Sequence, residues 1–294
     1  MKCAATADRA DEKEYTTSFM CAQLGVCRQG YYRWRAQGPC RRERTDAEPT
    51  EVIRAIHTEL SGDPGVRRVH AEPVVQGHRV SPTRVRRLTK AAGLQGRHPR
   101  AWRKTTTAGR RPVDAPDPIG QDLTAEQPNT RWCGDITYIK TVDGWVYTAT
   151  VIDLHSREVV GYAVADHPRT SLVIEALAAA LVTRKPPPGV IFHSDRRCRY
   201  TSKELADFCA LNGVRRSMGR RATRFDNAVA EPFFATYKKE LIHTRPWNDL
   251  ADVKHHTFLW IEGYYNRRRR HSTLNHSTPH EYELGYRQPT DLAA

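Results

Sequence analysis

Long apolar runs are missing from this chain. The longest, Ala176 to Val182, spans seven residues, far short of the roughly 20 that a helix needs to cross a bilayer. No apolar segment near the start has the form of a signal peptide, so the expected location is the cytoplasm, with the nucleoid, and no membrane partner. Cysteine is sparse and poorly spaced for bridging: seven residues with no C-x-x-C pair argue against both a disulfide framework and a zinc ribbon. Cys21, Cys27 and Cys40 also lack histidines at metal-ligand spacing, so no zinc is expected. Acidic residues are in deficit, 33 Asp and Glu against 47 Lys and Arg, for a formal charge of +14. That surplus suits a polyanion, most simply nucleic acid, although a basic protein without such a partner has the same composition.

Three of the acids stand apart from the rest. Asp135 lies in the strand-like run Trp132 to Ile139, Asp195 ends the run that starts at Val190, and Glu231 falls in a helical pattern beginning near Asp226 and Asn227. The gaps between them are 59 and 35 residues. Taken singly, each has a dull explanation as an edge-strand residue, a helix cap or a solvated helix position. Gathered in one cleft without cations they would repel and raise one another's pKa. Divalent cations remove that repulsion, because Mg²⁺ takes oxygen ligands near octahedral geometry, completed by water and phosphate. The expected chemistry is phosphodiester transfer.

The stretches WCGDITY (132–138), HSDRRCRYTS (193–202), SMGRRATRFDNAVAEPFFATYKKEL (217–241) and YYNRRRRHSTLNHSTPHEYE (264–283) resemble the integrase-core transposases of bacterial insertion sequences. The resemblance is to the second-frame product of the insertion sequence three family, and it runs from about Phe19 to about Glu283. It implies a ribonuclease-H-like (retroviral-integrase-like) α/β core with a mixed sheet, preceded by small helical DNA-binding modules. It also implies that Asp135, Asp195 and Glu231 form a catalytic and metal-binding DDE triad served by two Mg²⁺ (or Mn²⁺) ions. The implied activity is a transposase that binds the terminal inverted repeats of its element and target DNA, then cleaves and transfers strands. A homo-oligomer is implied, with the upstream-frame product as a further partner. Two alternatives stay open: a ribonuclease-H-type nuclease, and a noncatalytic DNA-binding remnant or repressor.

The chain reads as four parts. Residues 1–48 are helix-turn-helix-like, with two short helices around Gly25, Phe19, Leu24, Val26, Tyr31 and Trp34 expected inside, and Cys27 where the family places a capping serine. Residues 49–95 are a small helical DNA-binding module, 96–128 a basic linker, and 129–285 the integrase catalytic core with a C-terminal helical basic extension. In the second part Ser81 caps a helix, Pro82 fits its first turn, Val85, Leu88 and Ala92 form its inner face and Gly93 closes it. Arg84, Arg86, Arg87 and Lys90 are left for DNA, or for a solvated basic face. In the core, a tight Asp143-Gly144 turn joins two strands and a third follows. A helix from Thr170 leads to the Asp195 strand, and Thr201 with Glu204 caps a helix ending at Asn212-Gly213.

Lys238, seven residues beyond Glu231, returns to nearly the same helix face and is expected on phosphate. Arg267, Arg268 and Arg270 follow an amphipathic helix and are expected on the DNA backbone. His193 and Asn227 are expected to position the site. Departures from the family pattern are Arg197 and Arg199 in place of Gly and Gln, Ala222, Arg224 and Phe225 in the loop before the Glu231 helix, and Pro73 within a helix. Pro232 kinks the Glu231 helix if that helix starts at Asp226. Together these departures point to a copy weakened by drift.

Overall fold

The computed structural model divides the chain into two units, residues 1–95 and 96–294. The described residues are 3, 7, 15–37, 40–75, 77, 80–97, 118–120, 122–195, 199–218 and 229–291.

In the first unit α1 (Thr17–Gln23) and α2 (Arg28–Ala36) form the expected helical pair, with Gly25 at φ +61° between them. Cys27 at the start of α2 makes no side-chain cap bond. Met20, Cys21 and Tyr31 are buried, whereas Phe19 and Trp34, expected inside, are 49% and 44% exposed. Helices of seven and nine residues share only a narrow seam, with Met20, Cys21 and Tyr31 as their buried residues.

The next helix, α3 (Arg41–Glu59), carries Pro49 in its interior and runs through the division drawn at residue 48. Its start is fixed by Cys40 and Glu43. The Cys40 N–H donates to Glu43 Oε2 at 2.7 Å and the Glu43 N–H to Cys40 Sγ at 3.5 Å, a reciprocal cap with a thiol in the usual hydroxyl position. α4 (Val66–Val75) runs through Pro73. α5 (Pro82–Ala91) is capped by Ser81, whose Oγ accepts from the Arg84 N–H, and Gly93 follows at φ +68°. Ile53, Val69, Val80, Val85 and Leu88 form the core of these three helices.

The second unit is built on β1 (Arg131–Lys140), β2 (Trp145–Asp153), β3 (Val159–Ala165), β4 (Ile191–Ser194) and β5 (Arg215–Met218), in the order β3-β2-β1-β4-β5. β1, β2 and β3 are antiparallel neighbours; β4 pairs parallel to β1 and β5 parallel to β4. α6 (Thr170–Arg184) links β3 to β4 and α7 (Lys203–Leu211) links β4 to β5, completing the ribonuclease-H-like order. Side chains alternate across β1. Trp132 and Ile136 join the core under α6 and α7, with Val151, Leu172 and Phe192. Cys133 and Ile139 join the opposite core with Phe233, Tyr237 and Trp260. β1 is therefore buried on both faces. The second core is supplied by α8 (Ala230–Glu240), α9 (Leu250–Phe258) and the π-helical turn Leu259–Tyr265; α10 (Pro279–Asp291) follows.

Two local expectations are corrected. The β1–β2 connection has four residues, Thr141 to Gly144, because Thr141 bonds across it: its N–H donates to the Gly144 carbonyl at 2.8 Å and its Oγ1 accepts from the Gly144 N–H at 3.1 Å. α7 is capped by Ser202, not Thr201; Ser202 Oγ accepts from the Leu205 N–H. The helix does end at Asn212, with Gly213 at φ +67°. At the end of the stretch 96–128, Ile119 is buried and Leu123 and Ala125 pack against the second core, so that portion is part of the domain. No described helix is long and apolar enough to cross a membrane.

Candidate active site

Register brings the two aspartates together. β1 and β4 run parallel with Trp132 opposite Phe192, Cys133 opposite His193 and Gly134 opposite Ser194. One residue further along each chain are Asp135, still within β1, and Asp195, the first residue after β4. Equal register positions of parallel strands face the same way. Asp135 therefore shares the Cys133 side of the sheet, the side that α8 covers. Asp135 is 8% exposed and its Oδ1 accepts from the Ile136 N–H at 2.7 Å; Asp195 is half-buried.

Glu231 is the second residue of α8, exposed, in a first turn that starts with no side-chain cap. Among the described residues no group of three His, Cys, Asp or Glu side chains is close enough to hold one metal ion. The aspartate pair alone has the hard oxygen donors that suit a divalent cation. Pro232 is the third residue of α8, because the helix begins at Ala230 and not at Asp226. There its missing N–H falls among the four that a helix leaves unbonded anyway, so the expected kink does not arise. Asn227, Arg197, Ala222, Arg224 and Phe225 lie outside the described residues. Arg199 is not at positive φ.

Lys238 interacts with both Tyr138 and Asp135 of β1. Its Nζ is 4.7 Å from the Tyr138 ring centroid. Burial pulls its pKa down, and the Asp135 carboxylate opposes that shift. An ammonium held this way balances part of the charge of Asp135. His193 is buried on β4, with Nδ1 2.9 Å from Ser217 Oγ of β5, directly beneath the strand end that delivers Asp195.

The expected DNA-contact residues separate into two kinds. On α5, Arg86 and Lys90 are exposed and one helical turn apart. Arg84 and Arg87, by contrast, grip Asp46 of α3: Arg84 Nε is 2.8 Å from Oδ1 and an Arg87 terminal nitrogen 2.6 Å from Oδ2, and a terminal Arg84 nitrogen reaches the Thr45 carbonyl at 2.6 Å. Both guanidiniums hold Asp46 well below the usual carboxylate range. These arginines tie α5 to α3. Near the C-terminus Arg267 and Arg268 are exposed, while Arg270 is 8% exposed and donates to the His276 carbonyl at 3.0 Å. Arg270 is thus turned inward by an internal acceptor that its position in a basic run does not reveal.

Beside Lys238 the structure has a cleft of about 590 Å³ that sequence reasoning passed over, between the β1–β2 hairpin and the segment Ile242 to Trp247. Its signal in the sequence was faint: Tyr138 and Trp145 simply read as strand residues.

Comparison with known proteins matches residues 125–223 and 212–279 to families described as "Integrase core domain", and residues 43–102 to "HTH-like domain". Transposase InsF for insertion sequence IS3A of Escherichia coli (strain K12) is 33% identical over 277 residues, covering 92% of this chain and 95% of that protein. The transposase for insertion sequence element IS629 of Shigella sonnei is 32% identical over 280 residues, 93% of each. Among solved structures, the HTLV-2 integrase catalytic core domain in complex with magnesium aligns at a TM-score of 0.43 and 16% identity, over 54% of this chain and 98% of that one. The simian T-cell lymphotropic virus intasome aligns at 0.44 and 15%, over 79% and 74%.

Proposed function

Because the chain belongs to the IS3 family of insertion-sequence transposases, integrase-core enzymes of the DDE polynucleotidyl-transferase type, we propose that Asp135, Asp195 and Glu231 are the residues that carry its strand transfer. The observation that supports this reading is the β1–β4 register, which pairs Gly134 with Ser194, the residues just before Asp135 and Asp195, in a sheet whose Cys133 face α8 covers. Glu231 would join them when DNA and cations draw the first turn of α8 inward. Integrase-core transferases use divalent metal, and two Mg²⁺ or Mn²⁺ ions, without zinc, would supply Lewis acidity at the attacking and leaving oxygens when bound. The three carboxylates would hold them. Lys238 would contact the phosphate next to the scissile bond, and His193 and Asn227 would position the strand end and the helix start.

The DNA would be the terminal inverted repeats and the target. Arg86, Lys90, Arg267 and Arg268 supply backbone contacts, and Arg84, Arg87 and Arg270 support those surfaces from behind. The working form would be a homo-oligomer, joined by the upstream-frame product, in the cytoplasm on the nucleoid.

The test is cleavage and strand transfer on terminal-repeat DNA in Mg²⁺. Asp135→Asn and Asp195→Asn should each lower the rate by roughly 100-fold or more, with DNA affinity retained. A variant that keeps wild-type rates removes its residue from the triad. Equal competition by random DNA favours the nuclease reading.

A further inference from the structure

We propose that the cleft beside Lys238 is a subsite for one unpaired nucleotide of a DNA strand, with Trp145 and Tyr138 stacking the base and Lys140 and Lys238 taking its phosphates. The proposal rests on the reading of this chain as a DNA strand transferase and adds the form of DNA that it grips next to the acids.

Four observations carry it. Trp145 and Tyr138 are 47% and 44% exposed, although both belong to the sheet's central hairpin. Their rings meet edge to face at 5.4 Å and form a corner of two flat surfaces. Each ring has an ammonium over it: Lys140 Nζ is 5.1 Å from the Trp145 centroid and Lys238 Nζ 4.7 Å from that of Tyr138. None of the lining residues is acidic, and the cleft volume of about 590 Å³ lies within the range of small-ligand sites.

An aromatic pair that served packing alone would be covered. A partner that was merely anionic would need no exposed rings. Rings and cations interleaved over a few ångströms suit a ligand that has a π face and a negative charge on adjoining atoms, which is what an unpaired nucleotide offers. A base would replace the ammonium on the ring, and the lysine would swing to the adjoining phosphate, so neither group loses a partner. Because Lys238 also senses Asp135, the subsite adjoins the reacting position. Base stacking takes any base, so the subsite would select for strand separation and not for sequence.

The experiment uses the full-length protein without divalent metal and two probes: a blunt terminal-repeat duplex, and the same duplex with a single-stranded extension carrying 2-aminopurine. The expected results are quenching of the 2-aminopurine on binding and roughly tenfold tighter binding of the extended probe. Trp145→Ala should erase that preference while the blunt duplex binds within about twofold of wild type, and Trp145→Phe should keep most of it. Tyr138→Leu should weaken the preference independently, which covers the case in which Trp145→Ala does not fold. Equal binding of both probes by wild type overturns the proposal, as does a preference that survives both ring variants. Equal binding is also the result expected if the cleft takes a protein segment. A wild-type protein that cleaves terminal-repeat DNA yet binds both probes equally sinks this subsite alone, whereas failure to cleave with quenching intact sinks the triad assignment alone.

Discussion

Gly161 is the position where one added methyl group should do most damage. It lies in β3 opposite Val151, under α6. A Cβ built there would overlap the Ala176 carbonyl oxygen and stand 2.6 Å from the Ala180 nitrogen and 2.7 Å from the Ala180 Cβ. Comfortable contact is roughly 3.5–4.0 Å, so α6 would have to retreat from the sheet by about 1 Å. Every obstructing atom is backbone or Cβ, and none can rotate away. Retreat would also loosen Leu172, Val173, Ala176 and Leu177, all buried against the sheet. Overpacking costs about 1–3 kcal/mol when side chains can adjust, so Gly161→Ala belongs near or above 3 kcal/mol. For a unit of this size that corresponds to a fall in Tm of roughly 6–12 °C. Differential scanning calorimetry of wild type and variant measures it. Gly263→Ala is the control, since nothing lies within 4 Å of its added Cβ, and in its helical turn it should leave stability unchanged or raise it by up to about 1 kcal/mol. A Gly161→Ala protein melting within about 2 °C of wild type would show that the α6–β3 approach is not as close as described.

Two further perturbations address buried charge. Glu158 faces Arg184, which also bonds Glu283 and the Asn129 side chain; burial pushes Glu158 up from 4.5 to about 7, while Arg184 holds Glu283 down. A carboxyl raised on folding contributes stability below its unfolded pKa and loses it as pH rises, here between about 4.5 and 7, for at most about 3 kcal/mol. Glu158→Gln should therefore flatten stability across that window in urea melts at several pH values; parallel wild-type and variant curves would refute it. The Glu283 contribution lies in a separate window, present above about 4.5 and lost on acidification. Arg269 grips the fully buried Glu240 with two bonds of 2.8 and 3.1 Å. Arg269→Met should cost about 3–5 kcal/mol, and adding Glu240→Gln should restore much of it; a single variant losing less than about 1 kcal/mol would mean that Lys239, 3.2 Å from the same carboxylate, suffices alone.

The strands were legible from alternation, and the acids from their places on those strands, whereas the ribonuclease-H-like arrangement was implied by the family resemblance. A parallel register is not displayed by a sequence, yet it is what pairs Gly134 with Ser194, the residues just before Asp135 and Asp195. The cap at Ser81 was readable, the one at Ser202 was placed a residue early at Thr201, and the one at Cys40, where a thiol replaces the hydroxyl, was missed. The motif YYNRRRRH was read through its charge, whereas much of it is architectural. Asn266 is 2% exposed and its amide bonds both the N–H and the carbonyl of Val159 at 3.0 Å, fastening the start of β3 to the C-terminal helices. Arg269 and Arg270 point inward. A side chain's partner across 29 residues, as in Arg269 and Glu240, leaves no local periodicity to detect.

The same distinction alters the weight of the family departures. Pro232 seemed damaging only while its helix was taken to begin at Asp226; with the start at Ala230 the proline occupies the first turn, where its fixed φ suits the helix and no bond is lost. Arg199 avoids the left-handed region, and its carbonyl accepts from Ser202 Oγ at 3.0 Å, so it helps to set up α7. α4 continues through Pro73. Three of the substitutions that suggested decay are accommodated by where the helices begin and how the turns bond. What the catalytic unit keeps is a β1–β4 register that runs to the residues just before Asp135 and Asp195, and a lysine whose charged form Asp135 favours.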